Sequence, residues 1–540
     1  MSRRRTAVEY HHRTKHHFQR YAASAGFMDW TTQPHPFRRF AGVPTVALPL
    51  GPETGGPGYD ALFTEASPAS PLDADSLGRF LYLSLALSAG KEVVDPEGNV
   101  VSRWSLRVNP SSGNLHPTEG YVLIGAAAGL ETGAGLYHYA PDEHLLELRA
   151  TGPVPDPGTG FLLGLTSIAW REAWKYGERA FRYCQHDVGH ALAALSLAGR
   201  CLGWRLRLLT DLEVGLADRV LAVDGLGGPE RERADVLVLV DTGTGACPQV
   251  GELRGWADSR MVLGEPNTLS PGHRIWDAID TVADACHGEV LPGVGAPADL
   301  AAPATLAAPS FAPRDDSAAA IIRNRRSARG MDRRSRLGQE DFARLLARLL
   351  PAGSADVLPA LPQGPEVSLL LFVHRVEGLA PGLYALPRHP EHETAWRAAM
   401  RPDFTWDPVP GMPAELPLRH LIAGDVRETA KRLSCHQDIA ADGAFSVGMV
   451  ARFSAGIAEH GAAWYPRLFW ETGMIGQLLY LEAEAAGLRG TGIGCFFDDE
   501  VHRLLGLRDD AWQSLYHFTV GGPVKDPRLR TTPPYGAFSR

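Results

Sequence analysis

Residues 187–205 read DVGHALAALSLAGRCLGWR and residues 471–489 read ETGMIGQLLYLEAEAAGLR. Aligned without a gap, Gly189 falls on Gly473 and Gly203 on Gly487, a constant offset of 284. Both stretches are apolar nearly all round, the pattern of a helix buried in a core or an interface. Upstream, GLYHY (135–139) matches GLYAL (382–386) at an offset of 247, each after a strand-like run, YVLIGA and VSLLLFV. Earlier still, LDADSLGRFLYLSL from Leu72 matches LGQEDFARLLARLL from Leu337 at an offset of 265. Both carry helical spacing with an acid in the first turn (Asp73 or Asp75; Glu340 or Asp341). Three matches in the same order predict a duplicated α+β domain.

A chain of 540 residues exceeds what one core serves. The predicted division is an N-terminal domain at 1–250, a connecting segment at 251–313 whose 296–313 part is Ala/Pro-rich, and a C-terminal domain at 314–540. Two copies in one chain pack most simply as an intramolecular pseudo-dimer, leaving a monomer or a higher oligomer of it. The net charge of −9 gives no global attraction to nucleic acid or acidic membranes, and no apolar run approaches a membrane span. The six cysteines lie far apart without a CxxC pair, against a disulfide framework or a structural zinc site, so the chain reads as cytoplasmic.

The offsets differ because each copy holds something the other lacks. The N-terminal copy carries RVNPSSGNLHP (107–117), where two prolines and Gly113 impose a stiff turn bearing two hydroxyls and an amide. Positions 110–114 fall on 357–361 of the second copy, which read VLPAL. Conversely RNRRSARG (323–330) belongs to the C-terminal copy, and its Arg326 and Ser327 fall on Ala61 and Leu62. The second copy also has 37 more residues across roughly 387–465, a candidate lid or substrate wall.

These motifs, with WKYGERAFRYCQHDVGH (174–190) and GLRGTGIGCFFDDEVHRLLGL (487–507), resemble the flavin-dependent nitroreductase superfamily, and within it the SagB-type dehydrogenases that oxidise azolines to azoles. The resemblance implies two fused α+β domains with mixed or antiparallel sheets flanked by helices, and FMN held where such domains meet. Carried over residue by residue, it assigns flavin binding to Arg325, Arg326, Ser327 and Arg329, to a loop of Gly492, Ile493 and Gly494, and to Pro110, Ser111, Ser112 and Asn114. With each element present once, one FMN per chain is expected.

The residue types suit that cofactor. A flavin phosphate favours cationic donors, guanidiniums above all, for which Arg325, Arg329 and the cluster Lys525, Arg528 and Arg530 are candidates. Arg326 could tune the reduced ring, and the uracil-like edge calls for neutral Ser and Asn partners. The alternative for RRSAR is a solvated basic helix start. The same resemblance makes Lys175 and Tyr176 the catalytic pair, Lys175 as base; the alternative is a surface lysine beside a packed tyrosine. The C-terminal copy reads PRLFWET there and lacks the pair. His186 and His190 share a helical face without an evident third ligand, so no metal is expected. HHRTKHH at 11–17 reads by default as a solvated helix, and Cys495 follows the Gly-rich loop.

The expected activity is therefore an FMN-dependent dehydrogenase of a small or peptide-derived substrate. The runner-up is an NAD(P)H-dependent reductase of nitro or quinone compounds. The reading from another class is a non-catalytic flavin-binding scaffold or sensor.

Overall fold

The computed structural model describes residues 2–64, 67–156, 158–210, 212–243, 247–287, 290, 308–352 and 364–535. Most of the Ala/Pro-rich linker and the whole VLPAL stretch at 357–361 lie outside the described residues. The chain forms two compact units: Met1–Ala22, Val294–Arg314 and Asn324–Lys525 make one, and Ala23–Gly293, Asp315–Arg323 and Asp526–Arg540 the other. Segments from both ends of the chain are thus exchanged relative to the division expected from the sequence.

In the unit built on Ala23–Gly293, the principal strands are β1 (Thr118–Ile124), β2 (Gly135–Ala140), β3 (Leu145–Thr151), β4 (Gly160–Ile168), β5 (Arg205–Leu208) and β6 (Glu232–Asp241). They pair in the order β3–β2–β1–β4–β6–β5, antiparallel throughout. In the unit built on Asn324–Lys525 the strands are β7 (Val367–Val373), β8 (Gly382–Leu386), β9 (Arg419–Ala423), β10 (Phe445–Arg452), β11 (Arg489–Ile493) and β12 (Trp512–Gly521). Their order is β9–β8–β7–β10–β12–β11, again antiparallel. Adding six to each label converts one sheet into the other.

The helices obey the same duplication. Helix α1 (Ala74–Tyr82) opens on a capping box in which Asp73 accepts from the Ser76 N–H at 2.8 Å and the Asp73 N–H donates to Ser76 Oγ at 3.1 Å. After α2 (Ala169–Tyr176), the long α3 (Ala180–Cys201) is buried along its whole length. Helices α4 (Gln339–Leu349) and α5 (Trp464–Ala485) begin 265 and 284 residues after α1 and α3, as the aligned sequences require. A helix buried all round leaves no polar face for water, so α3 and α5 are the central packing elements of their units.

Two expectations change here. The 387–465 stretch, expected to hold a lid or substrate wall, forms the helices Pro390–Ala399 and Arg427–Leu433 together with β9, the counterpart of β3. Trp396, Phe404, Trp406 and Leu433 are buried from this stretch and pack in one cluster with Ile493, Val501 and Leu505. Sequestering that much aromatic surface makes the insertion core of its own unit. The HHRTKHH segment is also not a solvated helix. His11 is wholly buried with Nε2 3.1 Å from Gln513 Oε1, Lys15 pairs with Asp499 at 2.8 Å, and the His16 N–H donates to Asp498 at 3.0 Å.

Candidate functional site

The 110–114 loop is set against the end of α2. Ser111 Oγ accepts from the His116 N–H at 2.8 Å, and Ser111 Oγ lies 3.4 Å from Glu172 Oε1. The Ser112 N–H donates to Asp187 Oδ1 at 3.2 Å. Gly113 has φ +63°, and a Cβ there would stand 2.8 Å from Tyr176 Oη and 3.0 Å from Lys175 Nζ. Only glycine admits both the left-handed backbone and that approach. The structure therefore brings Ser111, Ser112 and the Lys175–Tyr176 pair into one locus, behind Pro110.

Asn114 behaves otherwise. Its Nδ2 donates to Ser105 O at 3.0 Å and its Oδ1 lies 3.0 Å from His116 Nε2, so its amide braces the loop itself. Lys175 and Tyr176 are half-buried, with Nζ 5.2 Å from the Tyr176 ring centroid. The Tyr176 ring packs 4.4 Å from that of Tyr183. Helix α2 ends because Gly177 takes φ 57° and ψ −135°, which leaves Lys175 and Tyr176 in the last turn facing the loop.

Beneath the loop lie two carboxyls that spacing alone does not single out. Glu172 is fully buried and Asp187 is 1% exposed. Burial first, and then the Asp187 charge, push Glu172 well above the usual carboxylate range, while Lys175 opposes the shift. Burial pushes Asp187 up to about 7 against the hydrogen bonds of Ser111 and Ser112. One oxygen of each, Glu172 Oε2 and Asp187 Oδ2, is buried without a hydrogen-bond partner among the described residues. The matching position in the other copy is different: Glu471 on α5 accepts from Arg467 at 2.6 Å, from Arg388, and from the N–H groups of Glu366 and Val367 at 3.0 and 3.2 Å. Its carboxyl is held below its ordinary value, burial being outweighed by the two guanidiniums and these hydrogen bonds.

In the other unit the Arg-Arg-Ser-Ala-Arg segment runs extended beside β11 instead of starting a helix. Ser327 pairs with Gly490 in a parallel bridge, the Ala328 N–H donates to Gly490 O at 3.1 Å, and Thr491 Oγ1 donates to Ala328 O at 2.7 Å. Gly492 and Ile493, expected in a loop, are the last residues of that strand, and Gly494 follows it. Strand pairing with β12 uses the backbone of both, which is why they are not loop. The Gly492 N–H and Ser327 Oγ both donate to Tyr480 Oη at 3.0 Å, and Tyr516 Oη stands where a Cβ on Gly492 would go. Tyr480 and Tyr516 thus frame the glycines, a role that sequence spacing leaves unmarked.

Arg325 is 4% exposed, 5.0 Å from the Tyr480 ring centroid, and burial aided by the Arg489 charge pushes its guanidinium down to about 10. Arg326 is half-buried and donates to Arg325 O at 2.6 Å, while Ser327 and Arg329 are exposed. A desolvated guanidinium is the donor type a phosphate satisfies, and the glycines leave room for close approach, so these groups fit a flavin phosphate. The C-terminal basic residues fit less well. Arg528 is bound by Asp526 at 2.8 and 3.0 Å, Lys525 is exposed, and Arg530 is an exposed residue of the strand Leu529–Thr532.

The nitroreductase family profile matches residues 388–522. The trifolitoxin-processing protein TfxB of Rhizobium leguminosarum bv. trifolii is 31% identical over 132 residues, 21% of this chain and 35% of TfxB. The chain thus spans about a third of that relative's length. A crystal structure of a candidate nitroreductase from Anabaena variabilis superposes with a TM-score of 0.67 at 22% identity, covering 96% of this chain and 99% of the other. That agreement shows a common fold across both units. Residues 388–522 thus carry a nitroreductase family domain, and the strand order of the unit that holds them is repeated in the other unit.

Proposed function

We propose that the chain is an FMN-dependent oxidoreductase that dehydrogenates a small or peptide-derived substrate, in the manner of the SagB-type enzymes it resembles, with one FMN per chain. The observation that carries this reading is the approach of Gly113 to Lys175 Nζ and Tyr176 Oη, which gathers loop hydroxyls, a lysine and a phenol at one point. The relative named for trifolitoxin processing lends support to a peptide-derived substrate.

When bound, FMN supplies a two-electron hydride acceptor. Arg325 and Arg329 would hold its phosphate, Arg326 and Ser327 its ring edge, with 492–494 leaving space. Ser111 and Ser112 present neutral donors and acceptors of the kind the heterocycle uses, while Pro110 and Asn114 stiffen the loop that carries them. Lys175 Nζ takes the acidic proton of the substrate as its C–H bond is oxidised, and Tyr176 Oη orients the group that bears it. Half-burial of both limits the water that competes for that proton.

Flavin content of the purified chain tests the reading directly: one FMN per chain supports it, and none would overturn it. Lys175→Ala should retain flavin and lower turnover by about 10²–10⁴-fold, the worth of a general base. Unchanged turnover would remove Lys175 from the reaction. Rapid bleaching of bound flavin by NADH or NADPH would favour the nitro- or quinone-reductase reading.

A further inference from the structure

Glu172 lies one turn before Lys175 on α2, and Asp187 lies on α3. They engage consecutive loop residues, Glu172 at Ser111 Oγ and Asp187 at the Ser112 N–H. Each retains one buried oxygen without a hydrogen-bond partner among the described residues, and neither shows a guanidinium partner of the kind that serves Glu471. At the positions matching Arg467 and Arg388 this copy has Tyr183 and Pro141. Two carboxyls this enclosed cannot both ionise.

We propose that Glu172 and Asp187 are a one-proton carboxyl pair that positions the 110–114 loop and leaves a single negative charge beside Lys175. Glu172 holds the proton and donates it to Ser111 Oγ. The Ser111 hydroxyl, so oriented, donates with the Ser112 N–H to the Asp187 carboxylate. The chain of donors runs one way, so the two serine residues face any heterocycle with defined polarity. Among the described residues of this unit no other buried acid is bonded to the loop: Asp235 on β6, for instance, accepts from Ser167 at 2.6 Å and Gln185 at 2.7 Å. His116, whose N–H donates to Ser111 Oγ, and Lys175, whose charge opposes the shift of Glu172, adjoin the pair from the loop and α2, with Cys184 on α3 and Asp235 on β6 nearby. Burial first, then the charges of Glu172, Asp235 and Asp187, keep the Cys184 thiol protonated.

The proposal rests on the loop and Lys175 being the reacting side of the protein, but its first test needs no flavin. Infrared difference spectra of the purified chain against Glu172→Gln should show the C=O band of a protonated acid, identified by its shift in D2O, persisting after Asp187 has ionised. The difference against Asp187→Asn should show an acid band that disappears as pH rises through about 7. Ser111→Ala, which deletes the bridge, should move that step upward. Carboxylate bands at about pH 8 in place of the Glu172 acid band would overturn the proposal. In the flavin-loaded chain, FMN should bind several-fold tighter above about pH 7 than below it, and Asp187→Asn should lose this step. The same step in Asp187→Asn would overturn the positioning role, whereas failure of every variant to bind FMN would sink the flavin reading and leave the infrared result standing.

Discussion

Asp187→Asn and Glu471→Gln alter matched positions of the two buried helices and should change stability in opposite directions. Asp187 has a folded value of about 7 against 3.8 in the unfolded chain, so the folded form binds its proton more tightly. The group's contribution is therefore fully present below pH 3.8, declines as pH rises, and is lost above about 7. At about 1.4 kcal/mol per pH step, the accumulated cost above pH 7 is on the order of 4 kcal/mol. An amide of the same shape keeps the acceptor for the Ser112 N–H and cannot ionise, so Asp187→Asn should gain part of that, about 1–3 kcal/mol at pH 8 and about a third as much at pH 5. Glu471→Gln instead leaves Arg388 and Arg467, 2% and 0% exposed, without their carboxylate. Uncompensated buried charge costs about 3–5 kcal/mol. Urea unfolding of both variants at pH 5 and pH 8 reads the difference. A pH-independent effect of Asp187→Asn, or a loss equal to that of Glu471→Gln at pH 8, would refute the view of Asp187 as a buried acid without a guanidinium partner.

Other perturbations read other parts of the structure. Gly113→Ala forces a Cβ onto Tyr176 Oη and Lys175 Nζ at φ +63°, and should cost about 1–2 kcal/mol and lower FMN occupancy, read by flavin absorbance. Gly492→Ala meets Tyr516 Oη and should destabilise by about 1–3 kcal/mol, with partial recovery in the Tyr516→Phe background; no recovery would assign the strain elsewhere. Ser112→Ala combined with Asn114→Ala should loosen the loop and reduce flavin retention, measured by dialysis. Burial holds His374 down to about 4 and His392 to about 3, so their contribution is present above pH 6.5 and is lost as pH falls below it. The thermal midpoint of the unit holding them should fall between pH 7 and pH 5, at about 1.4 kcal/mol per pH step for each histidine, and His392→Gln should flatten that slope.

The duplication was legible because helix and strand periodicity are local properties that survive divergence. The matched segments at offsets of 265 and 284 became α1 with α4 and α3 with α5, beginning at the matched positions. Gly113, Lys175 and Tyr176 stand out by residue type, but that the loop meets the lysine–tyrosine pair emerges only in the fold. Three other things were not legible either. HHRTKHH looks solvated on polarity alone, and its burial is made tolerable by Asp498, Asp499 and Gln513, more than four hundred residues away in the chain. The 387–465 insertion resembles a lid until Trp396 and Trp406 are seen to face an apolar cluster. Nothing local in the sequence marks that Ser105 and His116 share the Asn114 amide and brace the loop through it.

The sequence by itself determined two copies of one sheet-and-helix arrangement and placed each polar motif in one copy only. Tertiary structure decided the charge state of what lies beneath those motifs. An acid at the same helix position ionises readily where Arg388 and Arg467 surround it, and only as pH rises through about 7 where they are missing. Desolvation and partner placement are sums over residues distant in the chain, so no local pattern encodes them.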